Sequence, residues 1–167
     1  MTLKPHPMTP GGPVSAIRAY VERWSAERLW VRFHVEGDVG RVVWPDPSSG
    51  GRADGLWQTT CFEAFLSSGD RYWEFNFSPS GQWAAYRFEG YRAGQADAVE
   101  TAAPHPVEIG HAGAEMEALF ERPEGAVRMA ISAVIETTDG EKSYWALSHP
   151  SDKPDFHHPD SFVLELP

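Results

Sequence analysis

Two glutamates and an asparagine stand inside apolar, strand-like runs: Glu63 in Cys61–Leu66 (CFEAFL), and Glu74 and Asn76 in Tyr72–Ser78 (YWEFNFS). Burying a carboxylate in such a run is costly unless it is paired or hydrogen-bonded, so each residue asks for a partner or a ligand. Alternation puts Glu63 on the face of Cys61 and Phe65, with Phe62, Ala64 and Leu66 on the other. It puts Glu74 and Asn76 opposite Trp73, Phe75 and Phe77. If the two runs form a hairpin, Glu63 lies near Glu74 or Asn76 on one face. That patch could bind the hydroxyls of a sugar or another polar ligand. The alternative is a solvated outer face, or a salt bridge to Arg32 or Arg87.

Seven tryptophans supply candidate stacking surfaces for sugar rings: Trp24, Trp30, Trp44, Trp57, Trp73, Trp83 and Trp145. Trp73 and Trp145 have core-like neighbours, and Trp30 has polar parity mates. Trp57 follows a loop and Trp83 a turn, where ligand-contacting aromatics are more often found. Either could equally be a core or rim residue. A third group lies in the late loop His149–Asp160 (HPSDKPDFHHPD), which holds Lys153, Asp155, His157 and His158 between prolines 150, 154 and 159. Its His and Asp spacing fits no compact metal motif, so no metal is expected. Lys153 and His157 are read as ligand contacts from a rigid loop. The bland alternative is that Asp155 and Asp160 make turn hydrogen bonds.

Enzyme chemistry has less support. Cys61 sits between apolar residues, as a buried inert thiol does. No G-x-S-x-G elbow, P-loop, G-x-G-x-x-G or H-E-x-x-H occurs. Glu63 and Glu74 could form an acid/base pair as in glycosidases, although the chain is small for one.

The elements that must position these groups read as short strands. Period-two alternation is clearest in Arg28–Glu36, Tyr72–Ser78 and Ala126–Glu136. Further candidates are Ile17–Trp24, Gly40–Trp44, Thr59–Leu66, Gln82–Glu89, Glu115–Phe120, Ser143–Leu147 and Phe162–Leu166. Gly113–Arg122 could be a short helix, but alternation favours a strand. About nine to eleven strands with tight turns predict an all-β fold, an antiparallel β-sandwich. Residues 1–13, rich in Pro and Gly, are expected as an extended arm, and residues 14–167 as a single domain.

Composition agrees. The chain has 167 residues, 41% of them hydrophobic and 13% aromatic, which suits one folded domain with a good core. Lys and Arg total 14 against 24 Asp and Glu, a net charge of −10. That argues against nucleic-acid binding and against docking on anionic membranes. One cysteine leaves no intrachain disulfide. Neither a secretory signal nor an apolar run long enough to span a bilayer is visible, so the expected location is cytoplasmic, or periplasmic if a signal was removed.

The central segment also resembles the bacterial DOMON-like proteins related to the family-nine carbohydrate-binding modules. The matching runs are Leu-Trp-x-x-Thr-Cys-Phe-Glu-Ala-Phe (Leu56–Phe65) and Tyr-x-Glu-Phe-Asn-x-Ser-Pro-Ser-Gly-x-Trp (Tyr72–Trp83), then Tyr86-Arg87 and the late Lys-Pro-Asp-Phe-His-His-Pro-Asp. The match extends from about Pro5 to Leu166. It implies a β-sandwich of two antiparallel sheets with a ligand site on the face or rim. In the wider superfamily the ligands are sugars or haem. The sugar-binding relatives' tryptophans and polar partners carry over to Trp57, Glu63, Glu74, Asn76 and Trp83. Haem-binding relatives use a methionine with a histidine or lysine. Here Met129 falls on an apolar core face, so no haem or other cofactor is expected. The combined expectation is a non-catalytic module for a saccharide or similar polyol. Trp57 and Trp83 would stack, Glu63, Glu74 and Asn76 would bind hydroxyls, and Lys153 and His157 would contribute from the late loop. The alternatives are a small enzyme using Glu63 and Glu74, and a protein-interaction domain.

Overall fold

The computed structural model describes residues 1–166. Nearly all regular structure is β, in fourteen strands. They are β1 (Thr2–Pro5), β2 (Val14–Arg23), β3 (Arg28–Gly37), β4 (Gly51–Arg52), β5 (Cys61–Ser68), β6 (Arg71–Phe77), β7 (Gln82–Phe88), β8 (Ala96–Asp97), β9 (Ala102–Pro104), β10 (Glu108–Gly110), β11 (Gly113–Glu121), β12 (Arg128–Glu136), β13 (Lys142–Ala146) and β14 (Leu164–Glu165). No helix among the described residues is long and apolar enough to cross a membrane.

The strands follow one path, β10-β11-β3-β2-β1-β13-β12-β5-β6-β7-β4. Neighbours are antiparallel except β4, which pairs parallel with β7. The expected antiparallel sandwich is therefore met only in its coarser part, the all-β class. The sheet is mixed, and it curls on itself as a half-barrel. Continuity comes from β1. Thr2 and Leu3 pair with β2, while Lys4 and Pro5 pair with β13. The first thirteen residues, expected as an arm, are thus tied into the sheet at its midpoint. Leu3, buried to 1% exposure, gives the apolar anchor for this.

The strand count exceeds the expected one because pairs as short as β4, β8, β9 and β10 are too brief to show alternation. Gly40–Trp44 is not a strand. Val39–Arg41 makes a single 3-10 turn, and only an isolated bridge joins Val42 to Thr137. The apolar side chains there still pack inward, with Val39 and Val42 buried and the Trp44 indole donating to the Val39 carbonyl at 3.0 Å. Gly113–Glu121 is a strand along its whole length, paired with β3.

The curl brings rings from the two halves of the path together. Phe33 of β3 meets Phe62 of β5 with centroids 4.7 Å apart, and Phe120 of β11 lies 5.0 Å from Phe75 and 5.3 Å from Phe77 of β6. Each such fully buried ring contributes roughly 2–3 kcal/mol. The other face of β12-β5-β6-β7 carries a second, smaller apolar cluster of Phe65, Tyr72, Ala84, Tyr86, Phe88, Ala130 and Phe162, with Leu56 and Phe156 packed against it. The late segment through residues 148–162 contributes to this cover, so the sheet is apolar on both faces, as the β5 sequence suggests.

Candidate functional site

Registers on the outer face of this sheet decide which polar groups meet. Glu63 of β5 stands opposite Asn76 of β6 and, on its other side, Ser132 of β12. Phe65 stands opposite Glu74, which in turn faces Tyr86 of β7. Glu63, Asn76, Glu74 and Ser132 therefore form one patch, and small residues (Ala84 beside Asn76, Ala130 beside Phe65) leave room around it. The hairpin inferred from alternation exists, and it puts Glu63 beside both Glu74 and Asn76.

Above the patch lies a cleft of about 410 Å³. Glu63 and Glu74 line it between Phe65, Tyr86 and Phe88 of the sheet, and Trp57, Phe156 and His157 reach it from loops. Trp57 sits on the 3-10 turn Leu56–Gln58, half exposed at 51%. Gly55, at φ +72, supplies the left-handed residue that starts this turn, a conformation open to glycine without strain. Lys142 donates to the Gln58 carbonyl and fastens the turn's far end.

The carboxyls are nearly sealed from bulk water, Glu63 at 3% and Glu74 at 6% exposure. Ser132 Oγ donates to Glu63 Oε2 at 3.0 Å, and Asn76 Nδ2 donates to Glu74 Oε1 at 3.0 Å. Asn76 Oδ1 is buried with no hydrogen-bond partner among the described residues. The expected cationic alternatives lie elsewhere: Arg32 pairs with Glu117 at 2.6 Å and Arg87 with Glu89 at 3.5 Å. Burial raises the Glu63 carboxyl to about 8, helped by the charge of Glu74 and opposed by the Ser132 hydrogen bond. Burial likewise raises Glu74 to about 7, against the Asn76 hydrogen bond and the charge of Arg92. The pair thus holds protons near neutral pH.

The late loop is fastened over one end of the cleft. Asp155 accepts from Arg92 Nη2 at 2.7 Å, from the Tyr91 hydroxyl at 2.5 Å and from the His157 backbone N–H at 3.1 Å. The Tyr72 hydroxyl accepts from the Arg92 backbone N–H at 3.2 Å and lies 2.8 Å from His157 Nδ1. Burial, then the Arg92 charge, lowers His157 to about 4, against the attraction of Asp155, so its ring is neutral at pH 7. The hydrogen-bond network assigns the Tyr72 O–H to Nδ1, which leaves Nε2–H facing Glu74 Oε2 at 3.7 Å. That distance is too long for a direct hydrogen bond, and a neutral ring makes no ion pair.

Of the residues singled out by sequence, Trp57, Glu63, Glu74 and His157 line the cleft, and Asn76 lies beneath it as a partner of Glu74. Trp83 and Lys153 do not. Trp83 pairs with Phe77 in register, so its indole belongs to the inner face, where it packs against the main core and the Arg52 guanidinium lies 5.7 Å from its centroid. Lys153 is exposed and outside the cleft lining. Sequence reading missed Tyr86 and Phe88, which parity across the β6–β7 turn would have found. It also missed Ser132, Arg92 and Phe156, for which no local signal exists. The Cys61 thiol is fully buried beside Phe62 and Phe77 carbonyls, and burial, then Glu63 and Glu74, raises its pKa, so it is inert. Met116 and Met129 sit in the inner core. Among the described residues, no three His, Cys, Asp or Glu side chains are grouped to share a metal ion.

No protein-family model matches the chain, and no curated protein matches it. Among solved structures it is similar to the crystal structure of a "putative carbohydrate-binding protein" from Bacteroides uniformis, with a TM-score of 0.56 and 15% sequence identity. The likeness covers 96% of this chain and 83% of that one. At that identity it extends to the strand framework and no further.

Proposed function

We propose that this protein is a non-catalytic binding module that holds a saccharide or similar polyol in the cleft above Glu63 and Glu74, on a scaffold akin to the bacterial DOMON-like proteins. One observation carries the reading: two desolvated carboxyls, in direct contact with no Lys or Arg among the described residues, open onto a cleft walled by Trp57, Tyr86, Phe88 and Phe156. Carboxyls titrating at about 7 and about 8 are mixed donors and acceptors at neutral pH, and sugar hydroxyls are the same. Exposed Trp57 offers a face for a pyranose ring, in the role expected of it. Trp83 and Lys153 have no part in this site. The carbohydrate-related name of the Bacteroides uniformis neighbour is in keeping with this, at the level of fold.

The cleft competes with water on its open side, so affinities belong in the range of about 1 μM to 1 mM. A glycan array followed by calorimetry tests the reading. A saccharide that binds the wild type and loses about tenfold or more with Trp57→Ala and with Glu74→Gln supports it. Equal weak signals from wild type and both variants remove it.

A second reading rests on the same pair. Adjacent carboxyls with raised pKa values facing a cleft are also the equipment of acid/base catalysis. Turnover of aryl glycosides or oligosaccharides, abolished by Glu63→Gln and by Glu74→Gln, would favour an enzyme. Binding without turnover favours the module.

A further inference from the structure

The floor of the cleft holds two carboxyls that no cationic side chain hydrogen-bonds among the described residues, while side chains that carry donors, such as Gln95 and Tyr144, belong to its walls. Ser132 satisfies one oxygen of Glu63 and Asn76 one oxygen of Glu74, while Asn76 Oδ1 stays buried without a partner on the same face. Arg92 also lines the cleft, where its charge acts on Glu74, but its guanidinium hydrogen-bonds Asp155 at 2.7 Å and neither glutamate. His157 brings a neutral ring. A hydroxyl gives one donor and demands acceptance in return, whereas an ammonium gives three donors and demands none. The aromatic walls suit the same group, because a cation is attracted to the faces of Trp, Tyr and Phe rings. Resting on the binding-module reading, we propose that the ligand carries a primary ammonium beside its hydroxyls, as an amino sugar or amino polyol does, and that the ammonium seats between Glu63 and Glu74.

A seated ammonium stabilises the ionised carboxyls, so binding must release a proton near neutral pH. The perturbed groups that face the pair supply none. Cys61, Tyr72 and Tyr86 have pKa values raised by burial and stay neutral, and His157 is already deprotonated above about 4. The Arg92–Asp155 pair stays ionised, with Arg92 raised and Asp155 lowered.

The test uses the full chain and matched probes: glucosamine against glucose, galactosamine against galactose, and methylammonium chloride alone. Calorimetry at pH 6.5, where the amino sugars are already ammonium ions and both carboxyls hold protons, in two buffers of different ionisation heat reads affinity and proton release together. The Trp57 indole and Asn76 amide resonances report where the probe sits. The expected result is that at least one amino sugar binds about tenfold tighter than its hydroxyl parent, with proton release and shifts at both resonances. Glu63→Gln and Glu74→Gln should erase the preference and the proton release, while Trp57→Ala weakens amine and parent alike. The wild-type pairs and the buffer dependence decide the matter even if a glutamine variant does not fold. A parent sugar that binds as tightly as its amine, or amine binding without proton release, overturns this inference and leaves the polyol site standing. Silence from all three amines overturns it too, and if neutral saccharides on the array are also silent, the binding-module reading falls with it.

Discussion

The two faces of β12-β5-β6-β7 are built from the same four strands, yet they solve opposite problems. Inward, Phe62, Ala64 and Phe75 are fully buried and meet the other half of the path ring to ring. Outward, the same strands present Glu63, Glu74, Asn76 and Ser132 under a partial cover of loops. The inner face loses almost nothing to polar burial. The outer face keeps two carboxyls out of water with one hydrogen bond apiece. A face designed for stability alone would replace them by apolar residues of similar volume, as buried charges generally allow. The outer face thus trades stability for a reachable acidic patch, and both the stability cost and the reachability are open to test.

The largest expected effect is on the inner face. Phe75→Ala removes a ring with 0% exposure that touches Phe77 and Phe120. The loss should be about 3–5 kcal/mol, read from urea or thermal unfolding. A loss under about 1 kcal/mol would mean that the two halves of the curled sheet do not share one close-packed core.

Next comes the cost of the acidic patch. Both carboxyls have folded-state values above their ordinary 4.5, at about 8 and about 7. These two groups hold more protons in the native state between pH 4.5 and 8, but His157, lowered to about 4, holds fewer there than its unfolded form up to about pH 6.5, so the unopposed fall in stability lies between about pH 6.5 and 8. The total should be roughly 2–4 kcal/mol, because the two groups share one electrostatic burden and do not act independently. Glu63→Gln keeps an acceptor for Ser132 and removes the charge. It should match the wild type near pH 4.5, exceed it at pH 8 and flatten the slope. A wild-type stability that rises with pH between about 6.5 and 8 would contradict the burial of an uncompensated pair.

Smaller still is the effect of the fastening between sheet and late loop. Tyr72→Phe removes the hydroxyl that links the Arg92 backbone to the His157 ring. About 1–2 kcal/mol should be lost, and hydrogen exchange should quicken at Asp155–His157 more than in β5. Uniform quickening everywhere would show that the loop and sheet open as one unit.

Legibility in the sequence follows the same division. Where a strand is long enough to alternate, as in β5 and β6, side-chain faces can be read directly, and Glu63, Glu74 and Asn76 fall on one side as expected. Trp83 is misjudged because a position just after a turn suggests a ligand contact, whereas parity within β7 sets it opposite Tyr86 and Phe88, on the inner face with Phe77. Ser132 enters from β12, 69 residues along the chain from Glu63, and no local pattern announces such a pairing. β1 is masked by Pro5 and the prolines that follow it, although a proline at the strand's end is compatible with pairing. In the late loop there is no period to read. Of its two candidate ligand contacts, packing against Phe65, Tyr72 and Phe88 turns His157 inward, while Lys153 stays in solvent.

That last contrast yields the smallest effect and the sharpest control. His157 and Lys153 lie in one loop, and by residue type both suit ligand contact. Lys153 is exposed and outside the cleft, so Lys153→Ala should change stability by less than about 0.5 kcal/mol and leave saccharide affinity within twofold. His157→Ala removes a ring that touches Phe65, Tyr72 and Phe88, and should weaken both stability and binding. Measured side by side by thermal unfolding and calorimetry, the pair separates packing from charge. If Lys153→Ala costs as much affinity as His157→Ala, the ligand extends out of the cleft along the loop and meets a long-range positive charge. If it costs nothing, recognition is confined to the acidic floor and its aromatic walls, where the outer face concentrates its polar burial.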